Sequence, residues 1–430
     1  MTRSSLSGVL LGLSVATGLV VPSVAQAYAS PLVRVPFVGR TSTAGANIWV
    51  GTSASFGDTT GETLTLRARE AAACETCWVA TVQMTDSGTG GGFRSWKGSL
   101  DGLKPNTRYH YGIFASGFTG ERGGFYFKTE PAGPAHFKVG VASCMNGATA
   151  PSQPSWDIMH EQLNTGEPNI QLLVGDNMYT TESPPSKDHY WFKYFQQRAV
   201  PEFTNVFRAF PTFAVWDDHD YGPNDEDATF AQKDVARQAY ADLYPHPPFA
   251  GDGIYHRFGW GGVAFFMMDD RWGRDCPRSM PSGYSPKMYG AEQFSWLKND
   301  LLASNATFKV IVNGSTLGSE CWGAQKQALF EYIAANKIGG VLFVTGDIHR
   351  SLITDRTPTG GYPLYELISS GIGSPSTPAE YSFGIMEFNT TLADPTVTIK
   401  VIQNPEKRSS IAGAGVTVTT KTLRRSQLQN

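Results

Sequence analysis

Short apolar runs recur along the chain from residue 137 onward, and each ends at a polar residue that can bind a metal ion or an anion. The six runs are Phe137–Ala142, Ile170–Val174, Phe213–Trp216, Val263–Met268, Phe308–Val312 and Val341–Val344. Runs of this length, bounded by turn formers, are typical of strands buried on both faces. Helical patterns follow or separate them, at Ser155–Asn164, Asp188–Ala199, Thr229–Leu243, Ala291–Leu302 and Gln325–Asn336. Strands that alternate with helices predict an α/β domain with a mostly parallel sheet.

The pattern is different from about Pro31 to Thr129, where short alternating segments are separated by Gly, Ser, Thr and Asp. Examples are Ala46–Val50, Thr63–Arg69, Trp78–Met84 and Tyr109–Phe114. This predicts an antiparallel all-β sandwich, and Leu103–Tyr111 resembles the tyrosine corner of immunoglobulin-like and fibronectin-like folds. We therefore predict a β-sandwich domain at 28–130, a linker at 131–136, an α/β domain at 137–403 and a tail at 404–430 without assigned function.

The first residues have the features of a secretory signal. Met1-Thr2-Arg3 carries one positive charge, Val9–Val21 is apolar, and Ala25-Gln26-Ala27 fits the small-x-small cleavage pattern. A membrane anchor is the alternative, but the apolar stretch is short and Pro22 interrupts its end. We expect residues 1–27 to direct secretion to the periplasm or the exterior, and we expect no stable membrane span.

Composition narrows the possible functions. The chain has 430 residues, is 41% hydrophobic and carries a formal net charge of −3, which allows a large core and, as a prior, two domains. A small negative charge argues against general nucleic-acid binding, which needs a basic surface. It does not exclude a phosphate-bearing substrate, because a bound cation can supply local positive charge.

Five cysteines in an exported protein leave one unpaired. Cys74 and Cys77 are close enough in sequence for a local disulfide, and Cys276 and Cys321 lie in loops at the same predicted sheet edge, so we expect these two pairs. Cys144 is then left at the end of a strand. It is either a buried free cysteine or a thiolate ligand of a metal.

Three motifs place carboxylate, imidazole and phenol groups at the ends of predicted strands. They are Gly175-Asp176-Asn177-Met178-Tyr179, Trp216-Asp217-Asp218-His219-Asp220 and Gly346-Asp347-Ile348-His349. Ligands of open α/β sheets bind beyond the carboxyl ends of the strands. Acids crowded around a histidine repel one another unless a cation or hydrogen bonds compensate. Each motif alone also fits an ordinary turn, but together they predict a dinuclear metal site.

Other polar residues at the same edge have weaker signals. Asn313 offers a neutral carbonyl ligand, although a turn asparagine is the simpler interpretation of that residue alone. The acidic loop Asn224–Asp227 has two possible roles. It either supports or contacts a bound ligand, or it is an ordinary solvated loop, and the sequence does not decide between these two. We take Asn224 and Asp269 as candidate substrate contacts.

The motifs resemble the alkaline phosphatase D (PhoD-like) family. The resemblance spans roughly Phe137–Leu367, and the upstream β-rich region is similar to that family's N-terminal domain. The motifs that show the resemblance are, in chain order, Cys144, residues 175–179, WDDHD at 216–220, MDDRWGR at 268–274, MYGAEQFSWL at 288–297, VIVNG at 310–314 and GDIHRS at 346–351. One departure is that the N-terminal segment lacks the twin arginine often found in the family.

The resemblance implies a four-layer calcineurin-like metallophosphoesterase core with mixed, mostly parallel sheets, and a site for ferric iron and calcium, with other divalent metals as alternatives. The implied iron ligands are Cys144, Asp176, Tyr179 and His349. Asp176 would bridge, and the implied ligands of the second metal are Asp218, Asn313 and Asp347. His219 would contact the phosphate or protonate the leaving oxygen, and Arg271 would neutralise charge on it.

We therefore predict a secreted, monomeric metallophosphoesterase. Its substrate would be a phosphate ester, either a small molecule or a polymer such as teichoic acid or nucleic acid, and mono- and diesters both stay open. Carboxylate and amide oxygens suit calcium, whereas phenolate, thiolate and imidazole suit ferric iron. The alternative is a non-catalytic calcium-binding cell-surface module, which would not need Cys144, Tyr179 and His349 together.

Overall fold

The computed structural model describes residues 36–57, 61–358, 361–377, 380–404 and 415–429. The predicted secretory signal at residues 1–27 lies outside these ranges. Among the helices of the described ranges, none combines the length and the apolar character needed to cross a bilayer.

The N-terminal part of the chain forms two four-stranded antiparallel sheets, which we call the N-terminal sheets. Their strands are β1 Phe37–Thr41, β2 Gly45–Ser53, β3 Leu64–Glu70, β4 Ala80–Gln83, β5 Thr85–Gly90, β6 Phe93–Asp101, β7 Arg108–Ala115 and β8 Gly124–Lys128. The strand orders are β1-β2-β6-β5 and β4-β3-β7-β8. Side chains from both sheets, including Ile48, Leu66 and Tyr111, share one core, because alternating residues of each strand point inward.

Two local predictions for this region agree with the structure. The Tyr109 hydroxyl accepts a hydrogen bond of 2.8 Å from the backbone N–H of Lys104, which is the tyrosine-corner contact. Cys74 and Cys77 form a disulfide, as predicted from their spacing.

The remaining strands form two six-stranded sheets, which we call the first and second central sheets. The strands are β9 His136–Ala142, β10 Ile170–Val174, β11 Thr212–Val215, β12 His256–Trp260, β13 Val263–Met267, β14 Phe308–Val312, β15 Val341–Thr345, β16 Leu352–Asp355, β17 Tyr365–Ile368, β18 Ser382–Asn389, β19 Thr396–Gln403 and β20 Val416–Arg424. The first central sheet has the order β11-β10-β9-β18-β19-β20, and the second has the order β12-β13-β14-β15-β17-β16.

Seven α-helices of the described residues accompany these sheets. They are α1 Ser155–Leu163, α2 Lys187–Gln197, α3 Pro201–Phe207, α4 Asp218–Tyr221, α5 Lys233–Leu243, α6 Ala291–Ala303 and α7 Gly323–Ala335. The five helical patterns in the sequence correspond to α1, α2, α5, α6 and α7, whereas the short α3 and α4 were not predicted.

The central sheets pack face to face with helices outside. Val141 and Val174 of the first sheet and Val310 and Val344 of the second share one buried cluster. A second cluster joins α1–α5 to the outer face of the first sheet, and a third joins α6 and α7 to the outer face of the second. This is the four-layer α/β arrangement that the sequence resemblance implied.

The sheets are less parallel than predicted. The parallel pairs are β9–β10, β10–β11, β13–β14, β14–β15 and β15–β17. The other pairs of these sheets are antiparallel, and they involve β12, β16 and β18–β20. These strands lie largely towards the sheet edges and have no continuous apolar run to mark them. The predicted boundary at residue 403 leaves out β20, which pairs with β19.

A buried arginine lies where the N-terminal sheets meet the first central sheet. Arg198 is 2% exposed, and its guanidinium carbon lies 4.3 Å from the Trp49 ring centroid and 4.8 Å from that of Tyr244. The rings of Phe37, Tyr194 and Phe207 lie within 5.7 Å of it. Burial lowers the pKa of Arg198, so the surrounding ring faces compensate only part of the cost of burying its charge.

We expect Arg198→Ala to lower the free energy of unfolding by about 3 kcal/mol, because it leaves a cavity and removes the cation–π contacts. Thermal unfolding followed by circular dichroism measures this. Arg257→Ala is the control, since Arg257 is half exposed and ion-paired at the surface with Asp300, where such pairs contribute little. Equal unfolding temperatures for the two variants would contradict the role of Arg198.

Candidate functional site

The carboxyl ends of β10, β14 and β15 meet at one edge of the molecule, and each is followed by a glycine. A Cβ on Gly314 would lie 2.7 Å from Asp217 Cγ, and one on Gly175 would lie 2.5 Å from Asp217 Cβ. A Cβ on Gly346, in the second sheet, would lie 2.5 Å from both Ser143 Oγ and the Val174 carbonyl oxygen of the first. The two sheets therefore approach closely only because these positions have no side chain.

Backbone conformation marks the same edge. Cys144, Asp176, Asp347 and His349 have φ values of 56°, 50°, 74° and 58°, a left-handed region that non-glycine residues seldom adopt. Such conformations cost free energy and persist where surrounding structure or function requires them. Three of these four residues, Cys144, Asp176 and His349, bring their ligand atoms within 4.8 Å of one another.

The first group of candidate ligands consists of Cys144, Asp176 and His349, whose ligand atoms lie within 4.8 Å of one another. Cys144 Sγ is 3.4 Å from Asp176 Oδ2. The Tyr179 hydroxyl donates a hydrogen bond of 3.0 Å to the same carboxylate oxygen and lies 3.3 Å from His349 Nε2. The structure thus brings together the four residues assigned to iron by the resemblance.

Ser370 holds two members of this group. Its hydroxyl donates a hydrogen bond of 3.0 Å to Cys144 Sγ and accepts one of 2.8 Å from the His349 backbone N–H. No local signal pointed to Ser370, because its contacts are with residues far away in the chain.

The second group consists of Asp176, Asp218 and His219, again with ligand atoms within 4.8 Å. Asp176 therefore belongs to both groups, and its Oδ1 is buried without a hydrogen-bond partner among the described residues. Asp218 is fixed by backbone N–H groups of His219 and Asp225, at 3.0 and 2.9 Å. The His219 ring packs against the Tyr179 ring with centroids 4.2 Å apart and the ring planes tilted by 32°.

The ionisable groups of the site perturb one another. Burial, followed by the negative charges of Cys144 and Asp218, raises the pKa of Asp176 well above its usual range. Burial also raises the pKa of Asp347, to about 6, and the charge of Asp218 adds to it. Carboxylates crowded in this way resist ionisation until a cation compensates, so this donor set fits a metal site.

Cys144 and His349 form a complementary pair. Burial alone would raise the pKa of the Cys144 thiol, but its hydrogen bonds with His349 and Ser370 lower it overall. The same contact with Cys144 raises the pKa of His349. The environment therefore favours the thiolate, which is the form of cysteine that binds metals.

Arg271 is not exposed at the site. It is 1% exposed, and its Nε donates a hydrogen bond of 2.7 Å to Asp217 Oδ1, while Nη2 donates to Asp217 and to Ser315 Oγ. Despite burial, Asp217 raises the pKa of Arg271 well above its usual range. Arg271 thus forms a buried ion pair beneath the strand ends, where it adds positive charge without a surface to present to a substrate.

The Asn313 and Asp269 side chains both form hydrogen bonds within the protein. The Asn313 side-chain oxygen accepts a hydrogen bond from the Tyr289 hydroxyl, and its amide donates to the Ser315 carbonyl oxygen. The Asp269 carboxylate is fully buried and accepts hydrogen bonds from Trp216 Nε1 and the backbone of Ile254. Both side chains therefore have hydrogen-bond partners, and the roles assigned to Asn313 and Asp269 stay predictions.

Asp347 and Asn224 lie near the site but in neither group of candidate ligands. The Asp347 backbone carbonyl oxygen is 3.6 Å from Cys144 Sγ. Asn224 is exposed beside Asp225, whose N–H bonds Asp218, so the loop 224–227 borders the second group. Their assigned roles remain predictions.

The second predicted disulfide, Cys276–Cys321, is present, and Cys144 is the buried free cysteine. Arg274 donates a hydrogen bond of 2.8 Å to Cys321 Sγ and lies 3.9 Å from Asp225. The disulfide therefore supports the loop that bonds Asp218.

We expect Asp217→Ala to lower the free energy of unfolding by about 3–5 kcal/mol, because it leaves the buried Arg271 charge without its carboxylate partner. Chemical denaturation of the variant and the parent protein measures the difference. Asp234→Ala, at an exposed position of α5, serves as the control. A loss below about 1 kcal/mol for Asp217→Ala would contradict the importance of the pair.

The comparisons with known proteins agree on one family. Its sequence model, described as PhoD-like phosphatase, matches residues 139–427, which includes β20. Alkaline phosphatase D of Bacillus subtilis (strain 168) is 25% identical over 312 residues, covering 58% of this chain and 52% of that protein. The chain thus spans about half the length of this curated relative.

A solved structure reported as "Structure of PhoD" has a TM-score of 0.74 and 17% identity to this chain, over 92% of this chain and 90% of that one. At this identity the likeness concerns the fold alone.

Proposed function

Because the chain belongs to the PhoD-like phosphatase family, we propose that it is an exported, metal-dependent phosphoesterase. The observation that carries this proposal is the position of Asp176, whose carboxylate is shared by both groups of candidate ligands. A carboxylate with two oxygens can bridge two cations, and the unpartnered Oδ1 is the atom available for this. A calcium-binding adhesion module would not need the thiolate, phenol and imidazole of the first group.

We infer that a ferric iron is held by the first group and a calcium or another divalent cation by the second. Thiolate, phenolate and imidazole favour iron, whereas carboxylates favour calcium. The iron ligands would be Cys144, Asp176, Tyr179 and His349. Asp176 would bridge to the second cation, which Asp218, Asn313 and Asp347 would hold, and His219 lies close to Asp176 and Asp218. When bound, the two cations would polarise the phosphoryl group and lower the pKa of a coordinated water.

The residues of the chain would position the substrate and balance charge. Ser370 and the backbone of Asp225 would fix the ligands, so that little reorganisation accompanies the reaction. His219 is partly buried, and burial lowers its pKa, which favours the neutral imidazole. In this form its ring can accept a proton or coordinate a metal.

We propose an arrangement of domains that follows the described strands. The N-terminal sheets would form an immunoglobulin- or fibronectin-like domain at 28–130, supported by the shared core and the Tyr109 contact. The catalytic domain would begin near residue 137 and include β20, since β20 pairs along β19. The sequence of residues 1–27 supports export to the periplasm or the exterior.

Asp176→Asn should reduce hydrolysis of bis-para-nitrophenyl phosphate and para-nitrophenyl phosphate by about two to three orders of magnitude, because it weakens the bridge and changes the charge of both groups. Activity and elemental analysis measure the effect together. Asp234→Asn is the matched control. Parent-like turnover in a folded Asp176→Asn protein would exclude the bridging role, and comparing the two substrates separates monoesterase from diesterase activity.

Tyr179→Phe should remove a visible charge-transfer band, because a phenolate bound to ferric iron absorbs there and phenylalanine has no oxygen ligand. Absorption spectra of the parent, of Tyr179→Phe and of the control Tyr284→Phe test this, since Tyr284 is 38% exposed at the surface. A colourless and active parent protein without iron would reject this ligand set.

A further inference from the structure

A groove of about 420 Å³ lies between the N-terminal sheets and the first central sheet. One wall comes from β7 and β8 and includes Arg108, Tyr126 and Lys128. The other comes from α1 and from the segment after α3 and includes His160 and Arg208. We call this cavity the basic groove.

The basic groove is remote from the candidate metal site. Its floor includes Asn169 and Pro211, which directly precede β10 and β11. It therefore lies at the amino ends of these strands, whereas the metal-ligand groups lie at the carboxyl ends. Strand β10 has five residues, so the two places are separated by roughly 17 Å of strand.

Positive charge is concentrated in the basic groove although the whole chain is slightly acidic. The side chains that line the groove include three cationic groups and a histidine but one carboxylate, that of Glu167. Burial lowers the pKa of Lys128, and the charge of Arg108 adds to the effect while Glu167 opposes it. Burial and then Arg208 lower the pKa of His160. These groups therefore repel one another, and a bound anion would relieve the repulsion.

Aromatic rings hold two of the cations in place. The guanidinium carbon of Arg108 lies 4.4 Å from the Tyr126 ring centroid, and that of Arg208 lies 4.4 Å from the Phe125 ring centroid. A guanidinium stacked on a ring still has its N–H edge for an anion. The Arg108 guanidinium donates no hydrogen bond to another described residue, while Tyr126 is 39% exposed.

We propose that the basic groove is a second, non-catalytic binding site for anions that carry several phosphate groups. Arg108 and Lys128 bind the phosphate oxygens, and Tyr126 keeps the Arg108 guanidinium oriented. The proposal does not depend on hydrolysis at the metal-ligand groups. The ligand is either a free oligophosphate or a segment of a phosphodiester chain, which share this chemistry.

Isothermal titration of the purified, metal-loaded protein with inorganic tripolyphosphate, and separately with a single-stranded oligothymidylate, tests the proposal. The Kd for binding of a probe to the basic groove should rise about tenfold or more in the double variant Arg108→Gln/Lys128→Gln, because charge-assisted hydrogen bonds are lost. Lys104→Gln is the matched control, since Lys104 is 70% exposed on the same sheets and paired with Glu70. It should bind as the parent does.

The outcomes separate the possible ligands and the two proposals. Groove-dependent binding of tripolyphosphate alone indicates a free oligophosphate, and groove-dependent binding of oligothymidylate indicates a phosphodiester chain. The proposal that the basic groove binds anions is overturned if the double variant and the parent bind both probes with equal affinity, or if the parent binds neither probe. The double variant should hydrolyse bis-para-nitrophenyl phosphate at the parental rate. An inactive parent that still binds through the groove would reject the proposed function alone.

The single variant Arg108→Glu keeps the test decisive if the double variant does not fold. Arg108 is exposed on β7, so the charge reversal should leave the unfolding temperature unchanged while weakening binding more than Arg108→Gln does. Unchanged affinity in a folded Arg108→Glu protein overturns the proposal.

Discussion

The close approach of the two central sheets at their carboxyl edge is the constraint on which the site depends. Gly346 lies against Ser143 and Val174 of the other sheet, and Gly175 and Gly314 lie against Asp217. A Cβ at any of these positions would lie within 2.7 Å of those atoms, so the strand ends would have to move apart. The shared carboxylate of Asp176 is possible only because both sheets end at the same place.

Buried arginines balance the charge beneath this edge, and Arg271 lies among the most acids. Asp217 and Asp270 are buried next to the candidate ligands, and each has a side-chain oxygen without a hydrogen-bond partner among the described residues. Arg271 pairs with Asp217 and lies 3.9 Å from Asp270. Burial by itself would raise the pKa of Asp218, but the charge of Arg271 opposes this effect and helps to lower that pKa to about 2. An interior with this many acids needs a fixed cation in addition to any bound metal, since unpaired buried charges are costly.

The N-terminal sheets are attached to the core by more than a linker. Arg198, from the end of α2, lies among rings of both parts, and Ser95 donates a hydrogen bond of 2.6 Å to the Asp242 carbonyl oxygen at α5. Beside the basic groove, the Tyr111 hydroxyl of β7 donates a hydrogen bond of 3.0 Å to the Arg208 carbonyl oxygen, which also joins the two parts of the chain.

The sequence by itself determined the six strands whose apolar runs are buried on both faces, five of the helices, and the polar residues at the strand ends, because these signals are local in the chain. It also determined both disulfides through the number and places of the cysteines. Tertiary structure decided which polar residues face the site. Arg271 occurs in the same kind of motif as Asp176, yet it is buried in an ion pair with Asp217, whereas Ser370 contacts Cys144 and His349 without a recognisable motif. Strands β16–β20 likewise became visible only through their partners, because none of them has a long continuous apolar run and their pairing is set by distant residues. Of these five strands, only β16 and β20 lie at a sheet edge.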